Sequence, residues 1–189
     1  MKKEIRILGI DDMPFSFGDR NTDIVAVVMR GGTYLEGVMK TTIEVDGLDS
    51  TDKIIEMIEN SRHKRQLRII MIDGIALGGF NVFDGEKIWK ETGLPVITIT
   101  RNKPDMRKIK ETLKKHFNDW EKRWEIVSKK ETKEIRLKYP VYVKHFGIGE
   151  EEAKSIIKLS IIRGAIPEPI RVAHLIATGI KKGESRGRC

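Results

Sequence analysis

The sequence predicts an α/β protein built on one mixed sheet with helices on both faces. Three observations carry this. Three strand-like segments come first with no helix between them. Two further apolar runs follow, each after a stretch with helical periodicity. The runs are short and apolar throughout, as in strands buried inside a sheet. A hairpin start followed by strands joined through helices gives a sheet of both senses, covered above and below.

The elements follow in order. Residues 4–10 read as the first strand and 23–30 as the second. Gly31-Gly32 makes a tight turn into a third strand over 33–45, so the second and third pair as a hairpin. Asp49-Ser50 caps a helix to about Asn60, with Ile54, Ile55 and Ile58 on one face. Residues 67–73 form the fourth strand, 85–91 a short helix and 94–100 a fifth strand. Pro104 opens a basic helix to about Phe117. Residues 118–138 read as charged and irregular, and 139–146 as another strand. An amphipathic helix from Gly149 to Ile162 stops at Gly164, and Pro167-Glu168-Pro169 starts a last helix to about Ala177. Length favours one domain over 1–180, with a loose basic tail over 181–189.

Composition narrows the function classes. No stretch looks like a signal peptide or a membrane span. Cys189 is the only cysteine, so no disulfide framework or cysteine metal cluster is expected, and a cytoplasmic location fits. The net charge is +8, unevenly spread. Residues 1–60 hold 7 Lys/Arg against 12 Asp/Glu, while residues 101–138 hold 14 against 7. A metal-dependent nuclease needs both kinds of surface, carboxylates for cations and Lys/Arg for phosphates. The competing reading of the lysines on the 104–117 helix is a solvated face.

Two aspartates stand at the ends of apolar runs. Ile5-Arg6-Ile7-Leu8-Gly9-Ile10 closes on Asp11-Asp12, and Ile69-Ile70-Met71-Ile72 closes on Asp73-Gly74. On neighbouring strands these carboxylates would face one opening and repel each other until a hard divalent cation sits between them. That geometry suits metal-assisted cleavage of phosphodiesters. The plainer alternative is that each Asp ends a strand and starts a turn. Asp12 either joins the site or points away, because adjacent strand residues face opposite sides.

The order of elements matches the ribonuclease H-like fold, in which the first and fourth strands lie side by side. The C-terminal part is more specific. Tyr142-Val143-Lys144-His145-Phe146-Gly147-Ile148, the acidic helix start Glu150-Glu151-Glu152-Ala153, and Ile166-Pro167-Glu168-Pro169-Ile170-Arg171-Val172-Ala173-His174 resemble endonuclease V. Val45-Asp46-Gly47-Leu48-Asp49-Ser50-Thr51-Asp52, Leu77-Gly78-Gly79-Phe80-Asn81 and Gly-Glu-Ser-Arg-Gly-Arg at 183–188 are similar to an archaeal sister family linked to a DNA endonuclease acting at deoxyuridine.

The resemblance implies Mg2+ (with Mn2+ able to substitute) on Asp11, Asp73 and a third carboxylate near the first helix. No Glu stands there, which leaves Asp49, with Asp46 and Asp52 behind it. It also implies a histidine before the penultimate helix, to which His145 is nearest, with Glu150 or Glu151 as alternatives. Lys103, Arg107, Lys108 and Lys114 are candidates to hold phosphates of DNA. Endonuclease V also carries a Pro-Tyr-Ile-Pro wedge, and this chain has no such string. Phe80, after two glycines, either serves as a wedge or packs inward.

Smaller signals take plainer readings. Trp120 and Trp124, four apart, either stack on bases or form a helix face packed on the body. His174 reads as a hydrogen-bonded core histidine, Glu168 as a partner of Arg171 or of backbone amides, and His63 as a surface residue. The expected activity is cleavage of DNA beside a deaminated base. A non-catalytic binding module on the same fold and an endonuclease for inosine-containing RNA are the alternatives.

Overall fold

The structure, a computed structural model, describes residues 4–185. One seven-stranded sheet runs in the order β3-β2-β1-β4-β7-β9-β8. Its strands are β1 (Arg6–Asp12), β2 (Asn21–Arg30), β3 (Tyr34–Glu44), β4 (Leu67–Asp73), β7 (Val96–Thr100), β8 (Lys133–Ile135) and β9 (Val141–Phe146). A small hairpin of β5 (Ala76–Leu77) and β6 (Asn81–Val82) stands apart. The helices are α1 (Ser50–Glu59), α2 (Gly85–Thr92), α3 (Met106–His116), α4 (Trp120–Ser128), α5 (Glu150–Ser160) and α6 (Glu168–Lys182). A short 3-10 turn covers Lys64–Gln66.

β1, β4 and β7 are parallel, while β2, β3 and β9 run against their neighbours. The expected mixed sheet is therefore present, with the first and fourth strands adjacent. Alternation along the strands divides the core in two. Leu8, Ile10, Ile70 and Ile72 point to the face covered by α1 and α2, where Ile54, Ile58 and Ile88 are fully buried. Ile7, Ile69, Met71, Ile97 and Ile99 point to the opposite face, under Ile156 and Ile157 of α5 and Ile170 of α6.

Gly9 places α6. A Cβ on Gly9 would lie 2.2 Å from the backbone carbon of Pro169, so the helix start rests directly on the strand. Five residues along a helix advance about 7.5 Å, and two residues along a strand advance about 6.6 Å. The contact at Gly9 therefore brings His174 level with Asp11.

Three expectations need correction. Residues 118–138 hold α4 and β8. Trp120, Trp124 and Val127 recur at i, i+4 and i+7, a helical stripe hidden among charges. Secondly, α6 continues to Lys182 and ends at Gly183 with φ of 77°, so residues 181 and 182 are helical. The rest of the expected tail, 186–189, with the end of the 183–188 string and Cys189, lies outside the described residues. Thirdly, α3 starts at Met106, with Asp105 rather than Pro104 at its cap. Among the described residues no helix is long and apolar enough to cross a membrane.

Candidate active site at the carboxylate edge

β1 and β4 pair in parallel with Gly9 opposite Met71 and Ile10 opposite Ile72. Asp11 and Asp73 follow as the next pair, one strand spacing of about 4.8 Å apart. Both alternate with residues that face α5 and α6, so both lie on that face. Asp11 is only 4% exposed. One of its oxygens accepts the backbone N–H of Asp12 at 2.9 Å, and the other lies 2.8 Å from His174 Nδ1. Gly74, with φ of 74°, turns the chain sharply away after Asp73 and donates its N–H to the Ile99 carbonyl.

Asp12 faces the other side. Its carboxylate accepts the N–H of Gly78 at 2.6 Å and so tethers the β5–β6 hairpin. Of the two readings open for Asp12, it points away from the Asp11–Asp73 face yet stays close enough to act on it electrostatically.

Burial and crowding set the ionisation. Desolvation, then the Asp11 charge and the Asp12 charge, push the Asp73 carboxyl up to about 7. Desolvation and Asp11 likewise push Asp12 up to about 6. The hydrogen bond to Asp11 raises His174 above the ordinary histidine value. His174 Nε2 is buried with no hydrogen-bond partner. Three crowded carboxylates thus have one nearby imidazole to offset their charge.

The third-carboxylate candidates are elsewhere. Asp49 accepts the Glu44 N–H at 3.2 Å and Asn81 Nδ2 at 2.6 Å, so it ties the end of β3 to buried Asn81. It stands at the α1 cap position but makes no side-chain cap bond. Asp46, with φ of 57°, accepts the Phe80 N–H at 2.7 Å and clips the glycine loop. Asp52 is exposed and pairs with Lys87 at 2.7 Å. All three stabilise the α1 and hairpin side of the edge, three strands from Asp73 or on the surface.

His145 is also not brought to the pair. Met71 is opposite Ile97, and Ile97 opposite His145, so His145 sits two strands from β4 and one pleat back from Asp73. Its Nδ1 lies 2.8 Å from the Ile148 carbonyl, which holds the β9–α5 turn. The reason is direction: β9 is antiparallel, so its C-terminal end lies toward the opposite edge of the sheet. Glu150 pairs with Lys133 at 2.6 Å, and Glu151 is exposed on α5.

The basic candidates divide. Lys103 and Arg107 are exposed and, among the described residues, have no salt-bridge partner. Lys108 lies 3.8 Å from Asp105, and Lys114 lies over the Trp120 ring at 4.7 Å. Lys110 covers Trp124 in the same way at 4.9 Å, so both tryptophans pack against α3. Phe80 packs inward against Phe117, centroids 5.7 Å apart. Its carbonyl accepts from buried Arg123. Phe17, by contrast, is fully exposed on the β1–β2 loop.

The sequence places Asp11 and Asp73 at strand ends, where the structure has them, and reads His174 as a core histidine. It is hydrogen-bonded, as expected, and its partner is the first aspartate. The available signal was the Pro-Glu-Pro-Ile-Arg-Val-Ala-His string itself, whose prolines start α6 and whose histidine lies five residues after Pro169. Glu168 pairs with Arg171 at 2.6 Å, as anticipated.

Comparison with known proteins agrees with this architecture. A UPF0215 protein of Methanosarcina mazei is 53% identical over 192 residues, covering 100% of this chain and 96% of that protein. A crystal structure of a protein of unknown function from Archaeoglobus fulgidus superposes with a TM-score of 0.84 at 40% identity, covering 94% of this chain and 98% of that one. Endonuclease V of Ciona intestinalis, solved with a 24mer DNA containing an inosine followed by a ribo-adenosine, has the same fold. Its TM-score is 0.64 at 13% identity, covering 96% of this chain and 88% of that one. The model of the endonuclease dU family matches residues 3–181, and the chain belongs to that family.

Proposed function

We propose that this protein is a divalent-metal-dependent endonuclease that cuts DNA beside a deaminated base, with deoxyuridine as the lesion. The observation that carries the reading is the in-register Asp11–Asp73 pair at one sheet edge, with His174 on Asp11. The description of the family supplies the lesion.

Among the described residues, no three or more His, Cys, Asp or Glu side chains are grouped as a complete metal cage. Mg2+ does not need one: it uses one or two carboxylates and takes its remaining oxygens from water and substrate phosphate. Asp11 and Asp73 meet that requirement, and Mn2+ suits the same oxygens. Asp73, raised in pKa first by desolvation and then by the Asp11 and Asp12 charges, is a carboxylate whose charged form such a cation stabilises. When bound, the cation supplies a water of lowered pKa and a counter-charge for the phosphate.

The protein's own groups do the rest. His174 holds a proton at Nδ1 against Asp11, which fixes that carboxylate and leaves its charge directed at the opening. The Gly74 turn clears backbone from above Asp73. Lys103 and Arg107, exposed on the segment after β7, hold phosphates. A second reading, an endonuclease for inosine-containing RNA, takes its support from the Ciona complex, whose 24mer DNA contains an inosine followed by a ribo-adenosine.

The test uses end-labelled duplexes and single strands with one deoxyuridine, one deoxyinosine or no lesion, in Mg2+ or EDTA. A cut beside deoxyuridine that needs Mg2+ and vanishes in Asp11→Asn/Asp73→Asn supports the proposal. A double variant that cuts as fast as the parent removes the site assignment.

A further inference from the structure

A second feature lies on the same face, beyond β7. Arg101 follows the β7 strand end, and Asp73 pairs with Ile99. Arg101 is thus one strand across and two residues further, about 8 Å from Asp73 between Cα atoms. On the α5–α6 face, where Ala165 packs on the cluster that holds Ile97 and Ile99, Arg101 stands just past the strand end. It is exposed and lines a recess of about 360 Å³ with Tyr139, Pro140, Gly164 and Ala165.

That recess continues into a cleft of about 450 Å³, the two sharing Tyr139 and Gly164. Arg136, Lys138, Lys154 and Lys158 line the cleft, and no carboxylate does. Arg136 pairs with Glu134 at 3.0 Å. Among the described residues Lys138, Lys154, Lys158 and Arg101 have no salt-bridge partner, although many other cations of this protein do. Leu137 and Ile161 give the cleft an apolar floor. Tyr139 is 47% exposed, and Lys138 Nζ lies 5.6 Å from its ring centroid.

An exposed aromatic on an apolar floor, ringed by cations, suits a single nucleic-acid strand: a π-face for a base and charges for its phosphates. We propose that this cleft is a binding site for the single-stranded DNA segment that flanks the cut phosphate, with Tyr139 stacking on a base and Arg101 on the phosphate nearest the aspartates. The proposal rests on the endonuclease reading for its orientation. The cleft's chemistry stands apart from it.

The test is binding without cleavage. Fluorescein-labelled oligothymidylate of about 12 nucleotides is titrated with the full-length protein in EDTA and followed by anisotropy. Tyr139→Ala should weaken binding roughly tenfold and Tyr139→Trp should restore it. Arg101→Ala/Lys154→Ala/Lys158→Ala should lower the slope of log K against log salt by about 2. Circular dichroism melts confirm that each variant folds. Unchanged affinity in Tyr139→Ala, a loss that Trp does not rescue, or an unchanged salt slope overturns the assignment. If the parent binds through Tyr139 but cuts no strand, the endonuclease reading fails and the cleft stands. If it cuts deoxyuridine strands while Tyr139→Ala binds normally, the cleft fails and the endonuclease reading stands.

Discussion

Asp73→Asn should make the metal-free protein more stable, in a manner that depends on pH. The Asp73 carboxyl moves from 3.8 to about 7 on folding. The folded protein therefore keeps this proton to higher pH than the unfolded chain does. Stability then falls as pH rises between about 4 and 7, where unfolding releases the proton. Carrying one carboxyl across that span costs the folded state on the order of 4 kcal/mol above pH 7. The Asp12 carboxyl, moved to about 6, adds a smaller loss of the same sign. Asn keeps the shape and removes the charge. Urea unfolding in EDTA from pH 4 to 8 should show the parent losing stability toward pH 8. Asp73→Asn should lose about half as much and stand roughly 2–4 kcal/mol above the parent at pH 8. Mg2+ should raise the parent's midpoint and leave that of the variant nearly unmoved. A variant with the parent's pH slope, or one less stable than the parent at pH 8, would show that Asp73 is neither desolvated nor crowded by the other carboxylates as described.

The other predictions concern the supports of the site. The His174 imidazole, observed by NMR, should titrate above 6.5 and drop toward that value in Asp11→Asn. Its contribution to stability is complete below the unfolded value of 6.5 and is lost as pH rises through the folded value. Gly9→Ala drives a Cβ into Pro169, and should cost about 1–3 kcal/mol in urea unfolding and shift the His174 titration as α6 moves. Arg123→Ala strips the donors from the Gly47 and Phe80 carbonyls, at 2.9 and 2.8 Å. It should lower stability by about 2–4 kcal/mol, with no change in the titration of His174.

The parts of this fold governed by local pattern were legible. Strand periodicity located β4 to the residue, and the apolar runs placed Asp11 and Asp73 at strand ends. What was hidden depended on non-local geometry. Asp49 looked like a metal ligand because a helix begins beside it, yet buried Asn81, 32 residues away, claims its oxygen. His145 lies close in sequence to the family motif, but the reversal of β9 carries it away from the aspartates. His174 carries no local sign of its partner, since Asp11 is 163 residues distant and only the Gly9–Pro169 contact brings the two together. Arg101 and Tyr139 are ordinary surface residues in sequence, and the neighbouring ends of β7 and β9 bring them together.

The dependence of Asp11 on α6 also bears on the life of the chain during synthesis. A nuclease whose cutting centre lay within a contiguous stretch would be competent as soon as that stretch left the ribosome. Here the first aspartate and the histidine it meets are 163 residues apart, so the first waits on the second. A nascent, truncated or proteolytically clipped chain lacking the final helix cannot place an imidazole on Asp11. On the endonuclease reading proposed above, a break anywhere between β4 and α6 would leave both aspartates in place and take away the imidazole that holds Asp11.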